Sequence, residues 1–296
     1  MRAASQPRSI SASISRSNDS RRWPGLQGRP AVTTAKHVPR KRFGQHFLHD
    51  RDVIARIVAA IDPAPGDRLV EIGPGLGALT WPLLARHGTL DVIEIDRDAI
   101  AALEATPHPA GELRIHGGDV LDFDFAALRG DSPQRLRIVG NLPYNISTPL
   151  LFKLIEVREH IEDMHFMLQK EVVDRMAASA GDDAYGRLSV MLAPWVEVQP
   201  LFDIGPGAFK PPPKVMSTYV RLLPRAQPAF ALAEPQRFAA VVAAAFGQRR
   251  KTLRNSLKAL VSEAGFAAAG IDPGLRAEVL SPAQFAALAN TAAISG

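Results

Sequence analysis

Between residues 68 and 169, short apolar runs at 68–72, 90–95, 113–116, 136–140 and 164–169 alternate with helical stretches. A strand that reads as an almost unbroken apolar run is buried on both faces. Its alternation with helices dictates an α/β fold, a parallel sheet with helices on both sides. Ligands of such sheets bind beyond the carboxyl ends of the strands. The residues that follow each run are therefore the first candidates for chemistry. Ahead of them, Asp50 is placed to cap a helix that runs to residue 61. Behind them, a Pro-rich stretch at 206–213 leads into a strand over 215–222 and a Pro-punctuated linker at 224–235. Residues 236–290 are Ala-rich with helical periodicity. The expected organisation is a disordered basic arm (1–40), a main domain (41–223), a linker (224–235) and a small helical C-terminal domain (236–296).

Charge is distributed in blocks. Residues 1–42 hold ten basic side chains and one acid, a net of +9; residues 43–209 hold 14 basic and 25 acidic, a net of −11; residues 210–258 again hold ten basic and one acid. An acidic body between basic segments suits a polyanion gripped by the flanks and a neutral or cationic small ligand in the middle. The chain has 296 residues and no cysteine, which excludes disulfides, thiolate zinc sites, iron–sulfur clusters and thiol nucleophiles; no metal is expected. No apolar run approaches the roughly 18 residues of a membrane span. A soluble cytoplasmic monomer is expected. The arm lacks the apolar core of a secretory signal. Its Arg- and Ser-rich composition also fits an organelle transit peptide or a start codon placed too early.

Gly73-Pro74-Gly75-Leu76-Gly77 follows the first run and opens a helix, as a turn that lets backbone approach a ligand closely requires. Dinucleotide enzymes place similar glycines there, so the motif alone is weak. Glu94 ends the second run, where a carboxylate can accept ribose hydroxyls. Asp119 follows the third, an acceptor suited to an adenine amino group. A sulfonium cofactor, S-adenosylmethionine, suits an acidic body better than a pyrophosphate does. After the fourth run comes Asn141-Leu142-Pro143-Tyr144. An amine on a base ring is a poor nucleophile because its lone pair is delocalised. The Asn141 side-chain oxygen and the Leu142 carbonyl can accept its protons and favour a more tetrahedral nitrogen, with Pro143 fixing the turn. Tyr144 offers a face for a flipped base, a contact worth about 1–3 kcal/mol. No strong base is needed, because the nitrogen becomes acidic once methylated. Phe209, in the Pro-rich loop, either packs or stacks on these grounds alone.

These motifs, with Phe43-Gly44-Gln45-His46-Phe47-Leu48, Tyr185-Gly186-Arg187-Leu188-Ser189, Phe209-Lys210-Pro211-Pro212-Pro213-Lys214-Val215-Met216-Ser217 and Gln248-Arg249-Arg250-Lys251-Thr252-Leu253-Arg254-Asn255, resemble those of the ribosomal RNA small-subunit adenine N6,N6-dimethyltransferase family. The resemblance runs from Lys41 to about Asn290. It implies a Rossmann-like class I methyltransferase sheet with a small helical C-terminal domain. It also implies a S-adenosylmethionine pocket lined by His46, Leu48, Gly73, Gly75, Glu94, Asp119 and Asn141. Asn141 to Tyr144 would handle the target amine, and Phe209 would sandwich the base opposite Tyr144. Some members carry Asn where this chain has His46. The implied reaction is four methyl transfers to two adjacent adenosines in a hairpin near the 3′ end of small-subunit ribosomal RNA, on a ribosomal precursor.

Two basic segments are placed to grip that RNA. Arg249, Arg250, Lys251, Arg254 and Lys258 read as one helix, with Arg250, Arg254 and Lys258 on one face; Arg40, Lys41 and Arg42 form a second grip. One alternative is a large-subunit RNA dimethyltransferase conferring antibiotic resistance; the Gln248–Asn255 motif and the C-terminal domain argue against it. Another is an RNA-binding assembly factor that acts by occupancy, against which the intact Asn141–Tyr144 motif argues. A DNA adenine methyltransferase would usually carry a second Pro at Leu142.

Overall fold

A computed structural model describes residues 46–108, 111–143, 146–248 and 250–291. Backbone contacts divide the chain into Met1–Lys36 and His37–Gly296, and every described residue belongs to the second unit. It opens with a two-residue strand, β1 (Phe47–Leu48), and α1 (Arg51–Ile61). Asp50 caps α1 as expected, its side chain accepting from Asp52 N and Val53 N. Alternating elements follow: β2 (Arg68–Ile72), α2 (Thr80–His87), β3 (Thr89–Glu94), α3 (Arg97–Ala105), β4 (Glu112–Gly117), α4 (Phe125–Arg129), β5 (Leu136–Asn141), α5 (Ser147–Glu156) and β6 (Ile161–Gln169). Then come α6 (Lys170–Ala177), α7 (Arg187–Leu192), β7 (Val196–Ile204), β8 (Phe209–Lys210) and β9 (Ser217–Pro224). Four helices complete the described part: α8 (Pro235–Phe246), α9 (Leu253–Leu257), α10 (Glu263–Ala269) and α11 (Pro282–Thr291).

The main sheet has the order β4-β3-β2-β5-β6-β9-β7. β4, β3, β2, β5 and β6 run parallel, as the sequence predicts. The sheet as a whole is mixed, however, because β9 pairs antiparallel with both β6 and β7. β7 escapes sequence reading for a physical reason: Pro200 interrupts its apolar pattern. An edge strand tolerates such a proline, and the register shifts between Pro200 and Phe202. Strand order reverses between β2 and β5, so the carboxyl ends of these two neighbours flank the crevice where such sheets bind ligands.

Each central strand sends alternate side chains to opposite cores. Val70, Ile72, Ile138, Phe166 and Val220 meet α5 through Leu150, Leu151 and Leu154. Leu69, Val92, Val139, Met167 and Tyr219 meet α1 and α2 through Ile57, Ile61, Leu83 and Leu84. A third core joins Phe238, Val242, Leu257, Phe266 and Phe285 of the C-terminal helices to Tyr185 and Val190. The Tyr185 hydroxyl donates to the Leu280 carbonyl at 2.7 Å. The Tyr185–Ser189 motif is thus a joint between sheet and C-terminal helices.

An aspartate with several donors around it is buried within the sheet. Asp163 on β6 is 1% exposed. It accepts from Arg137 Nε at 2.9 Å and Nη2 at 3.0 Å, from Arg221 Nη2 at 2.9 Å, and lies 3.1 Å from His165 Nε2. Burial by itself would raise this carboxyl, but the contacts with His165 and Arg137 outweigh it and hold the group well below the usual carboxylate range. Arg137 also reaches the carbonyls of Ile61 and Asp62 at the end of α1. Asp163 therefore ties β5, β6, β9 and α1 together. Asp163→Asn leaves both arginines without a full partner and is expected to lower the unfolding free energy by about 3–5 kcal/mol, read from urea denaturation at neutral pH. Because the folded-state pKa is depressed, the stability that Asp163 confers is present above the unfolded carboxylate range. It is lost on acidification, so the variant's acid limb should be flatter than the wild type's.

Candidate active site

The loop after β2 is fastened to the loop after β3. Gly73 N donates to the Ile93 carbonyl at 2.9 Å, and Gly75 N donates to Glu94 Oε2 at 3.1 Å. The other Glu94 oxygen accepts from Ile95 N and Asp96 N, each at 2.9 Å. Gly73 has φ +67° with no atom within 4 Å of where a Cβ would stand, so the backbone there faces open space. Three of about four acceptor positions on Glu94 are already engaged. Both positions on Oε1 are filled and one remains on Oε2, so a ribose diol can use both oxygens only if the Ile95 or Asp96 contact gives way. Asp119 is exposed after β4; one of its oxygens accepts from Leu121 N at 2.9 Å, and Gly118 N beside it donates to the Glu94 carbonyl. Gly73, Gly75, Glu94 and Asp119 thus stand together at three adjacent strand ends, as the sequence places them.

Asn141 ends β5 one strand away. Its register neighbour Gly140 faces Ile72, and a Cβ on Gly140 would stand 2.6 Å from the Ile72 carbonyl oxygen, so only glycine permits the close approach. Asn141 Nδ2 donates to the His46 carbonyl at 3.0 Å. A carbonyl can only accept, so this contact commits the amide nitrogen and turns Oδ1 elsewhere, available as an acceptor. His46 in turn holds the Pro211 carbonyl through Nδ1 at 2.8 Å, which places the ring proton on that nitrogen. β1 pairs with β8 alongside, Phe47 opposite Lys210 and Leu48 opposite Phe209.

The remaining expected residues divide. The Leu142 side chain is 1% exposed in the sheet core, leaving its backbone carbonyl for the expected role. The Leu48 side chain is likewise buried, so only its backbone can line a pocket. Pro143 is half-buried, and its carbonyl accepts from Ile146 N. Phe209 is 3% exposed in one cluster with Leu48, Leu79 and Tyr219, a packing position in this arrangement. Tyr144, Arg249 and the Arg40, Lys41 and Arg42 grip lie outside the described residues.

The single basic helix expected over 249–258 is corrected. Regular helix covers only Leu253–Leu257, and Lys251 N closes a turn on the Gln248 carbonyl. Tertiary contacts satisfy the start of the helix: Leu253 N and Arg254 N donate to the carbonyls of Leu275 and Pro273. Arg250, Lys251, Arg254 and Lys258 are all exposed, but they do not form one helical row. Arg254 lies 3.3 Å from Glu263.

Two kinds of residue escaped the sequence reading. Leu76 and Ile95 are large apolar side chains, 42% and 49% exposed at the rim of the β2 and β3 loops, suited to cover an apolar ligand face. Their signal was an apolar residue between glycines or acids. Glu71, inside β2, is buried and accepts from the Thr80 hydroxyl at 2.6 Å. Burial pushes it up to about 7, Glu94 adds to the rise, and the Thr80 bond opposes it. Its signal was an acid within an apolar strand. A raised pKa means that the folded state keeps a proton the unfolded state has released. The stability this confers is full below about pH 4.5 and is lost as pH rises toward 7. Glu71→Gln is expected to remove that loss, on the order of 3 kcal/mol, as seen in urea midpoints compared between pH 5 and pH 8.

Comparison with known proteins agrees with this geometry. Residues 36–293 match the family model described as ribosomal RNA adenine dimethylase. A protein of Methylococcus capsulatus named ribosomal RNA small subunit methyltransferase A is 60% identical over 253 residues, covering 86% of this chain and 97% of that protein. Its namesake from Xanthomonas campestris pv. campestris (strain B100) is 57% identical, covering 85% and 95%. Among solved structures, a dimethyladenosine transferase from Plasmodium falciparum superposes with a TM-score of 0.64 at 25% identity, covering 82% of this chain and 96% of that one. The 23S rRNA methyltransferase ErmE superposes at 0.61 with 28% identity, covering 83% and 98%. The mixed sheet with its helical C-terminal part is that of class I RNA methyltransferases, and the chain belongs to the ribosomal RNA adenine dimethylase family.

Proposed function

We propose that this enzyme dimethylates N6 of two adjacent adenosines in a hairpin near the 3′ end of small-subunit ribosomal RNA, four methyl transfers in all, during subunit assembly. The observation that carries the chemistry is the committed Asn141 amide. With Nδ2 on the His46 carbonyl, Oδ1 is the acceptor left to face an incoming amine, at the point where strand order reverses. Identity of 57–60% to proteins named for the small subunit, against 28% to one named for 23S rRNA, favours the small-subunit substrate over the resistance reaction.

The open backbone at Gly73, the acceptors Glu94 and Asp119, and the exposed Leu76 and Ile95 fit S-adenosylmethionine, with His46, Leu48, Gly75 and Asn141 completing its pocket. When bound, it supplies a sulfonium methyl group as electrophile. Asn141 Oδ1 and the Leu142 carbonyl hold the amine's two protons and aim the nitrogen lone pair. The proton leaves the nitrogen after the methyl bond forms, so no residue of strongly basic character is required. Tyr144 and Phe209 stack on the flipped base, the latter after leaving its packed position. Residues 41–223 carry this chemistry, with 1–40 an arm and 224–235 a linker. Residues 236–296 hold the RNA through Arg249, Arg250, Lys251, Arg254 and Lys258, with Arg40, Lys41 and Arg42 as a second grip. No helix of the described residues is long and apolar enough to cross a membrane. The proposed setting is a cytoplasmic monomer acting on precursor subunits.

Incubation with S-adenosylmethionine and small subunits from a strain lacking the modification is expected to yield N6,N6-dimethyladenosine, identified by nuclease digestion and mass spectrometry, with none from large subunits. Product from large subunits only would move the enzyme to the resistance reaction; binding without product would leave the occupancy reading. Asn141→Ala is expected to lose at least about a hundredfold in turnover while RNA affinity stays within a few-fold. Arg250→Glu with Arg254→Glu should weaken subunit binding and lower the slope of log affinity against log salt by about 2, leaving cofactor affinity unchanged. Binding curves that superpose with wild type across salt would return both arginines to ordinary solvated surface.

A further inference from the structure

The described residues expose seven large apolar side chains, and four of them lie along the carboxyl edge of the parallel strands. Leu76 and Ile95 belong to the cofactor end. Val215 and Met216, 44% and 41% exposed, stand on the opposite side of Asn141, just before β9. β9 enters beside the end of β6, Ser217 opposite Gln169, and Asn141 on β5 lies opposite Met167 of the same strand. Two strand spacings separate Asn141 from this tip, roughly 10 Å.

The tip is held at both ends while its side chains face solvent. At one end the Pro211 carbonyl accepts from His46, and His46 accepts from Asn141. At the other, the Met216 carbonyl accepts from Lys170 N at the start of α6 at 2.9 Å. Lys210 and Lys214 both precede the apolar pair in the chain, and both are exposed. Exposed apolar side chains on an anchored, basic loop one nucleotide or two from the acceptor site have a specific use. A base that leaves its stack for the active site strips its neighbours of a stacking partner, and an apolar side chain can replace it. Met adapts to different base shapes, and the two lysines leading into the pair can meet the phosphates.

We propose that Val215 and Met216 form a wedge that contacts the nucleobases flanking the target adenosine, with Lys210 and Lys214 holding the adjoining phosphates. The inference rests on the reading of this chain as an RNA adenosine methyltransferase. It is tested by measuring binding of the full-length protein to unmethylated small subunits across a salt series, with large subunits as reference. Val215→Ser with Met216→Ser should lose about fivefold to tenfold in affinity at every salt concentration, with an unchanged salt slope, because an apolar contact is not screened. Val215→Ile with Met216→Leu should restore wild-type affinity. Lys210→Gln with Lys214→Gln should reduce the slope by about 2. A serine variant that binds within twofold of wild type, at an unchanged thermal midpoint, overturns the wedge alone. Wild-type protein that shows no preference for small subunits overturns the underlying reading with it.

Discussion

The active site depends on how closely two strands approach. At Ile72 and Gly140 the backbones of β2 and β5 come near enough that a single methyl group would stand 2.6 Å from a carbonyl oxygen. This is where the strand order turns back on itself. The close approach puts the loop that opens at Gly73 directly beside Asn141, so the proposed cofactor cradle and the proposed amine acceptor share one crevice. The bond from Gly75 N to Glu94 and that from Gly118 N to the Glu94 carbonyl extend the same frame across β3 and β4. None of these contacts involves a flexible side chain reaching far from its strand. The precision comes from backbone register.

Burial acts in opposite senses at the two ends of this sheet. Asp163, under the amino-terminal side, is surrounded by donors: the contacts with His165 and Arg137 outweigh its desolvation and keep it ionised. Glu71, near the carboxyl end, has a hydroxyl for a partner and another carboxylate nearby, so desolvation prevails and its proton is retained to about pH 7. The first arrangement fixes a charge and with it the packing of β5, β6, β9 and α1. The second holds a neutral acid under a site expected to receive a cation. A fixed base and a responsive rim are what a scaffold needs when its chemistry lies at one end of the strands.

Sequence reading succeeded where structure is dictated by local pattern. The parallel strands were found to within a few residues because burial on both faces leaves an apolar run, and Asp50 declared its helix start. Clustering of Gly73, Glu94, Asp119 and Asn141 followed from their common position after such runs. It failed where distant backbone decides. α9 begins late, at Leu253, where carbonyls some 20 residues onward, at Pro273 and Leu275, take its first amide groups. β7 is a strand despite Pro200 because an edge can leave one donor unmade. Glu71 looked ordinary because composition does not reveal that an acid will be buried next to another.

Phe209 shows what a bound base must rearrange. It is packed against the core opposite Leu48, and a ring so covered cannot stack on a nucleobase without moving. It sits on a two-stranded ribbon of two residues each, separate from the seven-stranded sheet, and so short a pairing is weakly held. Movement there would also disturb the His46 carbonyl that holds the Asn141 amide and the Pro211 carbonyl that His46 holds. In the proposed reading, access of a base to Phe209 and the orientation of Asn141 are linked through one histidine. Replacing His46 by Asn would keep the backbone half of that link, the carbonyl that holds the Asn141 amide, and remove the imidazole bond to Pro211.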